Sequence, residues 1–152
     1  MRGEVRGEIY VDGSGMILGR LASIIAKRLL EGYRVYVVNV DKIVVSGRRA
    51  MVVDSYKRTV LGVRSHYSHK WRPKRPRSPV MIFKKTVWGM LPKNMRGVRA
   101  LKRLRAYSGI PDSLKDKSFT RFPEADASRL SSPPQATLAL IARALGWRGG
   151  ER

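Results

Sequence analysis

The sequence predicts an α/β fold with three layers, α/β/α, around a short, mostly parallel four-stranded sheet, with an extended basic loop and a C-terminal helix. Short β-branched runs alternate with segments whose apolar residues recur every three or four positions, as in strands and amphipathic helices. A strand, a helix and a second strand follow within about 33 residues, the length of a βαβ unit with parallel strands. We expect a single domain over residues 1–152, with its core at about 8–110, a basic loop at 62–78 and a C-terminal extension at 111–152.

The βαβ unit is the first feature of the chain. The run EIYVD (8–12) predicts a short strand, and RVYVVNV (34–40), which is almost continuously apolar, predicts a buried strand of a parallel sheet. The helix between them ends before Gly32, with Lys27 and Arg28 in its last turn. Its apolar residues recur at helical spacing: Leu18, Leu21, Ala22, Ile25 and Leu29.

Two further short strands and a helix are predicted in the middle of the chain. The apolar run KIVVSG (42–47) predicts a third strand, and LRAYSG (104–109) predicts the last strand of the sheet. Residues 48–60 predict a helix. We expect three of its residues to face inward: Ala50, Val53 and Val60.

Capping residues mark two helices between these strands. Ser78 and Pro79 predict a helix start, and Gly89 and Pro92 predict its end. Asn94 predicts the cap of a further, basic helix. The first of these helices carries an apolar side made of Ile82, Phe83 and Val87.

The C-terminal extension is predicted to be irregular until its last helix. Residues 110–134 are rich in Ser, Pro and Asp, which favours turns. Ser132 and the two prolines after it predict the start of a helix, and Gly146 predicts its end. Its apolar face comprises Leu138, Ile141, Ala142 and Leu145.

The net charge is the strongest indication of function. The chain carries 32 Lys and Arg against 11 Asp and Glu, a formal charge of +21. Residues 48–105 hold eighteen basic residues and one acidic residue, Asp54. A solvated surface needs only a modest net charge of mixed sign, so this excess indicates a polyanionic partner. Nucleic acid is the first candidate and an anionic membrane surface the second, although the basic segment has no apolar face to lie in a membrane.

What the sequence lacks excludes several classes of protein. The chain has no Cys, so disulfides and thiolate metal sites are excluded. Its longest apolar runs are a few residues, far short of a membrane span, and the N-terminus has no apolar signal-peptide core. We therefore expect a cytoplasmic protein with no membrane partner and no small-molecule substrate.

The stretch VDGSGMILGR (11–20) is similar to the Gly-rich turn of dinucleotide-binding folds. Its spacing is one residue longer than G-x-G-x-x-G, and no acidic residue stands clearly at the ribose-binding position, so we expect no cofactor. Instead, Gly13 and Gly15 permit a tight strand-to-helix turn, and Gly19 permits close packing at the helix start. Arg20 is a candidate phosphate contact beside the helix N-terminus.

The segment GVRSHYSHKWRPKRPR (62–77) has no periodicity and combines six cations with prolines and planar side chains. Planar groups stack on unpaired bases while cations hold phosphates, a combination that suits folded RNA. The cations around His66 and His69 would repel a metal ion, so we expect base contacts there and no metal. Because the loop has little apolar surface to bury, we expect it to be disordered in the free protein and ordered by RNA.

Three stretches resemble one protein family: GMILGRLASIIAKRLLEG, VVNVDKIVVSG and VWGMLPKNMRGVRALKRLRAYSGIP. Over about residues 8–111 the chain is similar to the large-subunit ribosomal protein L-thirteen family, in its archaeal and eukaryotic branch. The most specific element is VWGMLP (87–92), followed by Gly97 and a basic helix. The resemblance implies a three-layer α/β/α fold, binding to large-subunit rRNA, other ribosomal proteins as neighbours, and no catalytic role.

Candidate RNA contacts fall into two groups, and we expect neither catalytic nor metal-binding residues. The loop supplies cations and planar groups: Arg64, His66, Tyr67, His69, Lys70, Trp71, Arg72, Lys74, Arg75 and Arg77. The predicted helices and their termini supply the second group: Arg20, Arg48, Arg49, Lys84, Lys85, Lys93, Arg96, Arg99, Lys102 and Arg103.

Two other classes of protein remain as alternatives: an RNA-processing enzyme, either a nuclease or a nucleotide-dependent modifying enzyme, and a DNA-compacting protein. An RNA-processing nuclease would need clustered carboxylates for metal ions, whereas Asp54 is isolated in the basic region. A nucleotide-dependent modifying enzyme would need a Gly-rich loop that binds its ligand. A DNA-compacting protein would prefer duplex DNA to folded ribosomal RNA at matched salt.

Overall fold

The computed structural model describes residues 5–62, 75–134 and 136–149. Single 3-10 turns lie at Val40–Lys42, Asp112–Leu114, Pro123–Ala125 and Ala127–Arg129. The strands and helices follow in the order β1 (Glu8–Asp12), α1 (Leu18–Leu30), β2 (Arg34–Val38), β3 (Val44–Val45), α2 (Arg49–Val60), α3 (Pro79–Met90), α4 (Met95–Lys102), β4 (Leu104–Ala106), β5 (Ala136–Thr137) and α5 (Leu138–Ala144).

The central sheet has the strand order β1-β2-β4, and both pairings are parallel. The predicted α/β class with a mostly parallel sheet is therefore confirmed. The strand predicted from KIVVSG exists as β3, but it pairs antiparallel with β5 outside this sheet. The reason lies at Asn39, whose left-handed backbone (φ 54°) starts the 3-10 turn that separates β2 from β3. At the other edge, Thr120 forms one parallel bridge to Val11.

Helix α1 is the main support of the sheet, and it packs against α3 and α4 as well as β2. It ends as predicted, because Gly32 adopts φ 102°, a conformation that favours glycine. The five residues predicted for its apolar face are all buried: Leu18, Leu21, Ala22, Ile25 and Leu29.

Helix α2 differs from its predicted orientation. It packs on the core through Val52, Tyr56 and Val60, all of which are partly buried. Val60 therefore faces inward as predicted, but Ala50 is exposed and Val53 is only half-buried. A weakly amphipathic helix has no single apolar stripe, so periodicity alone does not fix which side meets the core.

Helices α3 and α4 begin as predicted. The Ser78 hydroxyl accepts a hydrogen bond from the N–H of Met81 at 3.3 Å, and the Asn94 side chain accepts one from Gly97 at 3.1 Å. The predicted end of α3 is slightly wrong, because the helix continues through Gly89 to Met90. Its apolar side is buried as predicted, through Ile82, Phe83 and Val87.

Helix α5 starts later than predicted. Its N-cap is Thr137, whose hydroxyl accepts a hydrogen bond from Leu140 at 3.3 Å, and not Ser132. The residue before the helix belongs to β5, which pairs with β3. Gly146 follows the helix with φ 86°. The predicted apolar face is buried: Leu138, Ile141, Ala142 and Leu145.

One face of the sheet carries polar and aromatic side chains. Tyr10 and Tyr36 stack with ring centroids 5.1 Å apart, and both hydroxyls donate to the Glu8 carboxylate, at 2.6 and 3.2 Å. Arg34 donates to the same carboxylate at 3.4 Å. The hydrogen bond from Tyr10 leads the causes that hold the pKa of Glu8 below its usual value, and in return it raises the pKa of Tyr10 to about 12.

Candidate nucleic-acid interface

The glycine-rich turn between β1 and α1 is closed by its own contacts. Gly13 donates its N–H to Val38 at 3.0 Å, and a Cβ there would lie 2.9 Å from Ile43. Gly15 has φ 68° and donates to Lys42 at 3.2 Å. These two glycines therefore serve the tight turn as predicted. The prediction for Gly19 is wrong, because it is exposed and nothing lies within 4 Å of an added Cβ.

A carboxylate holds this turn against the second strand. One oxygen of Asp12 accepts hydrogen bonds from the side chain of Asn39 at 3.0 Å and from the N–H and hydroxyl of Ser14 at 3.1 and 2.9 Å. Burial raises the pKa of Asp12, but these hydrogen bonds outweigh it and hold the pKa below its usual value. The turn is thus a structural joint between β1, α1 and β2.

Eight candidate RNA contacts of the loop lie outside the described residues. The described loop residues are Arg75 and Arg77, both exposed just before α3. The eight are Arg64, His66, Tyr67, His69, Lys70, Trp71, Arg72 and Lys74.

A groove between α2 and α5 brings together two predicted residues and two others. Arg48 and Arg49 at the start of α2 line it with Lys57, and Arg143 approaches from α5. The groove is open and has a volume of about 1060 Å³. We call it the α2–α5 groove. Cations from two helices separated by more than seventy residues therefore face one space.

A smaller cleft between α2 and α3 gathers a second pair of predicted residues. Arg75 and Lys85 line it together with Tyr56 and Thr59, in a volume of about 140 Å³. Burial raises the pKa of the Tyr56 phenol. The cleft thus places two cations beside a partly buried aromatic ring.

A third space lies beside α1 and receives Arg96 from α4. Arg6 and Lys27 line it as well, together with Glu31, in a volume of about 680 Å³. We call it the α1–α4 cleft. It combines one predicted RNA contact with two cations that the sequence analysis did not select.

The remaining predicted helix residues divide into exposed cations and internally bonded ones. Arg20, Arg99 and Lys102 are exposed, and Lys84 is half-buried. Lys85 is exposed in the cleft between α2 and α3.

Lys93 and Arg103 are engaged within the protein. The Lys93 ammonium donates to the Trp88 carbonyl and lies 3.9 Å from the centroid of the Trp88 ring. Arg103 donates to the carbonyl of Leu29 at 2.6 Å, and its Nε is buried. Both cations therefore stabilise helix C-termini, where the carbonyl ends of the helix dipole attract positive charge.

Sequence reasoning missed Lys57, Arg143, Arg6 and Lys27 as members of these basic spaces. Lys57 lay within the basic stretch, and Arg143 lies away from the apolar face of α5. Lys27 was used only as a sign of the helix end. A helical-wheel comparison could have placed Lys27, Lys57 and Arg143 on outward faces, but only the fold pairs α2 with α5. Arg6 precedes β1 and lies in no helix.

Two other classes of site would each need a particular arrangement of the described residues. No group of three or more His, Asp and Glu side chains there is arranged to hold a metal ion. No helix in the described ranges has the length and apolarity required to cross a bilayer.

Fold and surface together define a basic α/β protein that presents cations in separate grooves. The chain belongs to the ribosomal protein L13 family, since the model of the family described as Ribosomal protein L13 matches residues 6–113. The family resemblance inferred from the sequence motifs is confirmed.

Archaeal relatives match nearly the whole chain. Large ribosomal subunit protein uL13 of Aeropyrum pernix is 66% identical over 149 residues, which cover 97% of this chain and 95% of that protein. The uL13 protein of Archaeoglobus fulgidus is 44% identical over 141 residues, with coverages of 91% and 88%. That of Saccharolobus solfataricus is 39% identical over 142 residues, with coverages of 93% and 94%. The similarity therefore extends through the C-terminal extension.

Proposed function

We propose that the protein is a structural constituent of the large ribosomal subunit, where it binds rRNA and neighbours other ribosomal proteins. The similarity over 149 residues to a protein named for the large subunit carries this proposal. The same membership gives it a structural role and no catalytic one, and a place in the cytoplasm with the ribosome.

The charge distribution supports rRNA as the partner. Cations of the α2–α5 groove, the α1–α4 cleft and the exposed residues of α4 come from different segments of the chain, and a folded RNA can contact a protein at several separate surfaces. Each phosphate neutralised by a cation releases condensed counterions, which makes binding favourable and dependent on salt. The net charge of +21 is thereby balanced only in the complex.

The basic loop at 62–78 belongs to the same proposal. Its cations would hold phosphates, while Trp71, Tyr67, His66 and His69 would stack on or bond to bases and riboses. Residues 63–74 lie outside the described ranges, so the support for this part of the interface comes from the sequence pattern.

The salt dependence of rRNA binding tests the proposal. We expect replacement of Arg72, Arg75 and Arg77 by Gln to weaken binding and to reduce the slope of log K against log salt by about 0.7–0.9 for each lost phosphate contact. Filter binding or fluorescence anisotropy with large-subunit rRNA over a salt series measures that slope.

The matched control removes the same charge elsewhere. Arg28, which pairs with Glu31 at 3.0 Å, Lys115, which pairs with Asp112, and the exposed Arg129 are replaced by Gln together. An equal fall in slope for both triple variants would show that total charge and not the loop carries binding. Preference for duplex DNA over rRNA at matched salt would instead favour a DNA-compacting protein.

A further inference from the structure

The α2–α5 groove has an apolar floor that the core does not use. Helix α2 meets the core through Val52, Tyr56 and Val60, so Ala50 and Val53 are left on the side that lines the groove. Residues three or four apart lie on one helix face, and the pair at 50 and 53 continues to Lys57. The helix thus presents an exposed apolar strip ending in a cation.

The opposite wall of the groove repeats this arrangement on α5. Ala139, Leu140 and Ala144 line the groove and are half-buried, whereas the neighbouring Ile141 and Ala142 are fully buried in the core. Small side chains on both walls leave open space between the helices.

Positive charge surrounds the floor. Arg48, which caps α2, Lys57 of α2 and Arg143 of α5 line the groove. Asp54 is the one carboxylate among the described residues that line it. That carboxylate is already paired with Arg58 at 2.7 Å. The uncompensated charge of the rim is therefore positive.

We propose that the α2–α5 groove binds a segment of unpaired RNA, with phosphates on the Arg48, Lys57 and Arg143 rim and base or ribose faces on the Val53, Ala139 and Leu140 floor. This inference rests on the proposed function and adds the form of RNA and the site. A volume of about 1060 Å³ is slightly larger than that of typical ligand pockets, which span roughly 300–1,000 Å³. The groove thus has room for more than a single small ligand.

Both the charged rim and the apolar floor of the groove are needed to select unpaired RNA. A duplex presents phosphates and riboses but keeps its base faces stacked inside, so it would satisfy the rim and leave the floor in water. An unpaired strand offers both a charged backbone and apolar base faces, as in other single-strand sites that join cations to apolar or aromatic platforms. A protein segment would have to be both apolar and acidic to match the same surface.

Photo-crosslinking with the full-length protein tests the site. The probe is an oligouridylate of about eight nucleotides, within the usual site size of single-strand binders, that carries thiouridine. We expect crosslinks to map by mass spectrometry both to the 62–78 loop and to residues 48–57 and 137–144. A duplex of equal length should crosslink much less to the groove.

Two groove variants sharpen the test. Ala139→Glu places a carboxylate on the floor at the second residue of α5, where the helix dipole tolerates negative charge. Arg143→Gln removes one rim cation. We expect each to reduce groove crosslinking by about tenfold, the scale of one lost charge-assisted contact, and to leave loop crosslinks in place. Ser113→Glu, at an exposed position outside the groove, adds the same charge as Ala139→Glu and should change neither set.

The outcomes separate this inference from the proposed function. Crosslinks confined to the loop would overturn the groove site and leave rRNA binding intact. Loss of all crosslinks and of rRNA binding in the unmodified protein would overturn both. Equal groove crosslinking by the duplex, or a groove that crosslinks only to another ribosomal protein in the assembled subunit, would overturn the assignment to unpaired RNA.

Discussion

A single carboxylate links the end of β1, the turn that follows it and the end of β2. Asp12, at the end of β1, accepts from Ser14 in the turn and from Asn39 after β2. Asn39 is also the one described residue other than glycine with a positive φ, at 54°. The side-chain hydrogen bond thus holds a backbone conformation that asparagine tolerates better than most residues. These contacts give Asp12 and Asn39 a structural role in the turn.

Removal of the Asp12 side chain tests this role. We expect Asp12→Ala to lower the free energy of unfolding by about 1–3 kcal/mol near pH 7, because the donors of Ser14 and Asn39 lose their acceptor. Since the folded-state pKa of Asp12 is lowered, its contribution is present above the usual aspartate value of about 3.9 and is lost as the pH falls through the folded-state pKa. Urea denaturation of both proteins across this range measures the difference.

The difference in the free energy of unfolding between the unmodified protein and Asp12→Ala should therefore decrease at acidic pH. Asp116→Asn, at an exposed aspartate, serves as the control and should change stability little at either pH. A difference for Asp12→Ala that stays constant from neutral pH to pH about 2 would contradict the account of the turn.

The tyrosine pair on the sheet gives a second prediction at the residue scale. The hydrogen bond to Glu8 and the negative charge of that carboxylate raise the pKa of Tyr10 to about 12. A raised folded-state pKa contributes stability below the usual tyrosine value of about 10, and that stability is lost as the pH rises toward the folded-state pKa. We expect Glu8→Gln to bring the pKa of Tyr10 back toward 10.

Ultraviolet titration of phenolate absorbance measures this pKa. Comparison with Tyr10→Phe assigns the signal, and Glu31→Gln, which removes a carboxylate bonded to Arg28 elsewhere, is the matched control. A Tyr10 pKa that is the same with and without the Glu8 carboxylate would show that the hydrogen bond does not control it.

Two glycines in consecutive helices have opposite structural requirements. A Cβ on Gly97 in α4 would lie 1.8 Å from the backbone oxygen of Pro92, whereas nothing lies within 4 Å of a Cβ on Gly89 in α3. The Pro92–Gly97 contact closes the turn between the two helices, which the Asn94 cap also holds.

Alanine substitutions at the two positions should therefore change the stability of the protein in opposite directions. We expect Gly97→Ala to lower stability by about 2 kcal/mol, since backbone atoms must move. Gly89→Ala should raise it by about 0.5 kcal/mol through helix propensity. Thermal and chemical denaturation of the two variants measures both effects, and destabilisation of equal size at both positions would contradict the steric explanation.

At the level of elements, local sequence signals predicted where helices begin better than which strands pair. The caps Ser78 and Asn94 were predictable because each hydrogen bond is made within three residues. The cap Thr137 makes an equally local hydrogen bond, but the helix start was misplaced because the chain before it is held by pairing with β3, more than ninety residues earlier. For the same reason β3 was predicted as a strand but assigned to the wrong sheet.

At the level of the whole molecule, net charge predicted a polyanion-binding protein but did not predict where each cation lies in the fold. Arg103 counted as a surface cation in the sequence, yet the fold turns it toward the Leu29 carbonyl. Arg143 was not selected, yet the packing of α5 against α2 brings it to the basic groove. Such assignments depend on contacts between distant segments, which composition and periodicity do not encode.

The whole protein is a constituent of the large ribosomal subunit, and we propose that rRNA holds it there. Sucrose-gradient sedimentation of tagged, full-length protein in cell extract is the decisive test of this proposal. We predict that the protein cosediments with the large subunit in moderate salt and is released by ribonuclease treatment or by high salt, as charge-dominated binding requires. A protein that remains at the top of the gradient in moderate salt, or sediments with DNA instead, would contradict the claim.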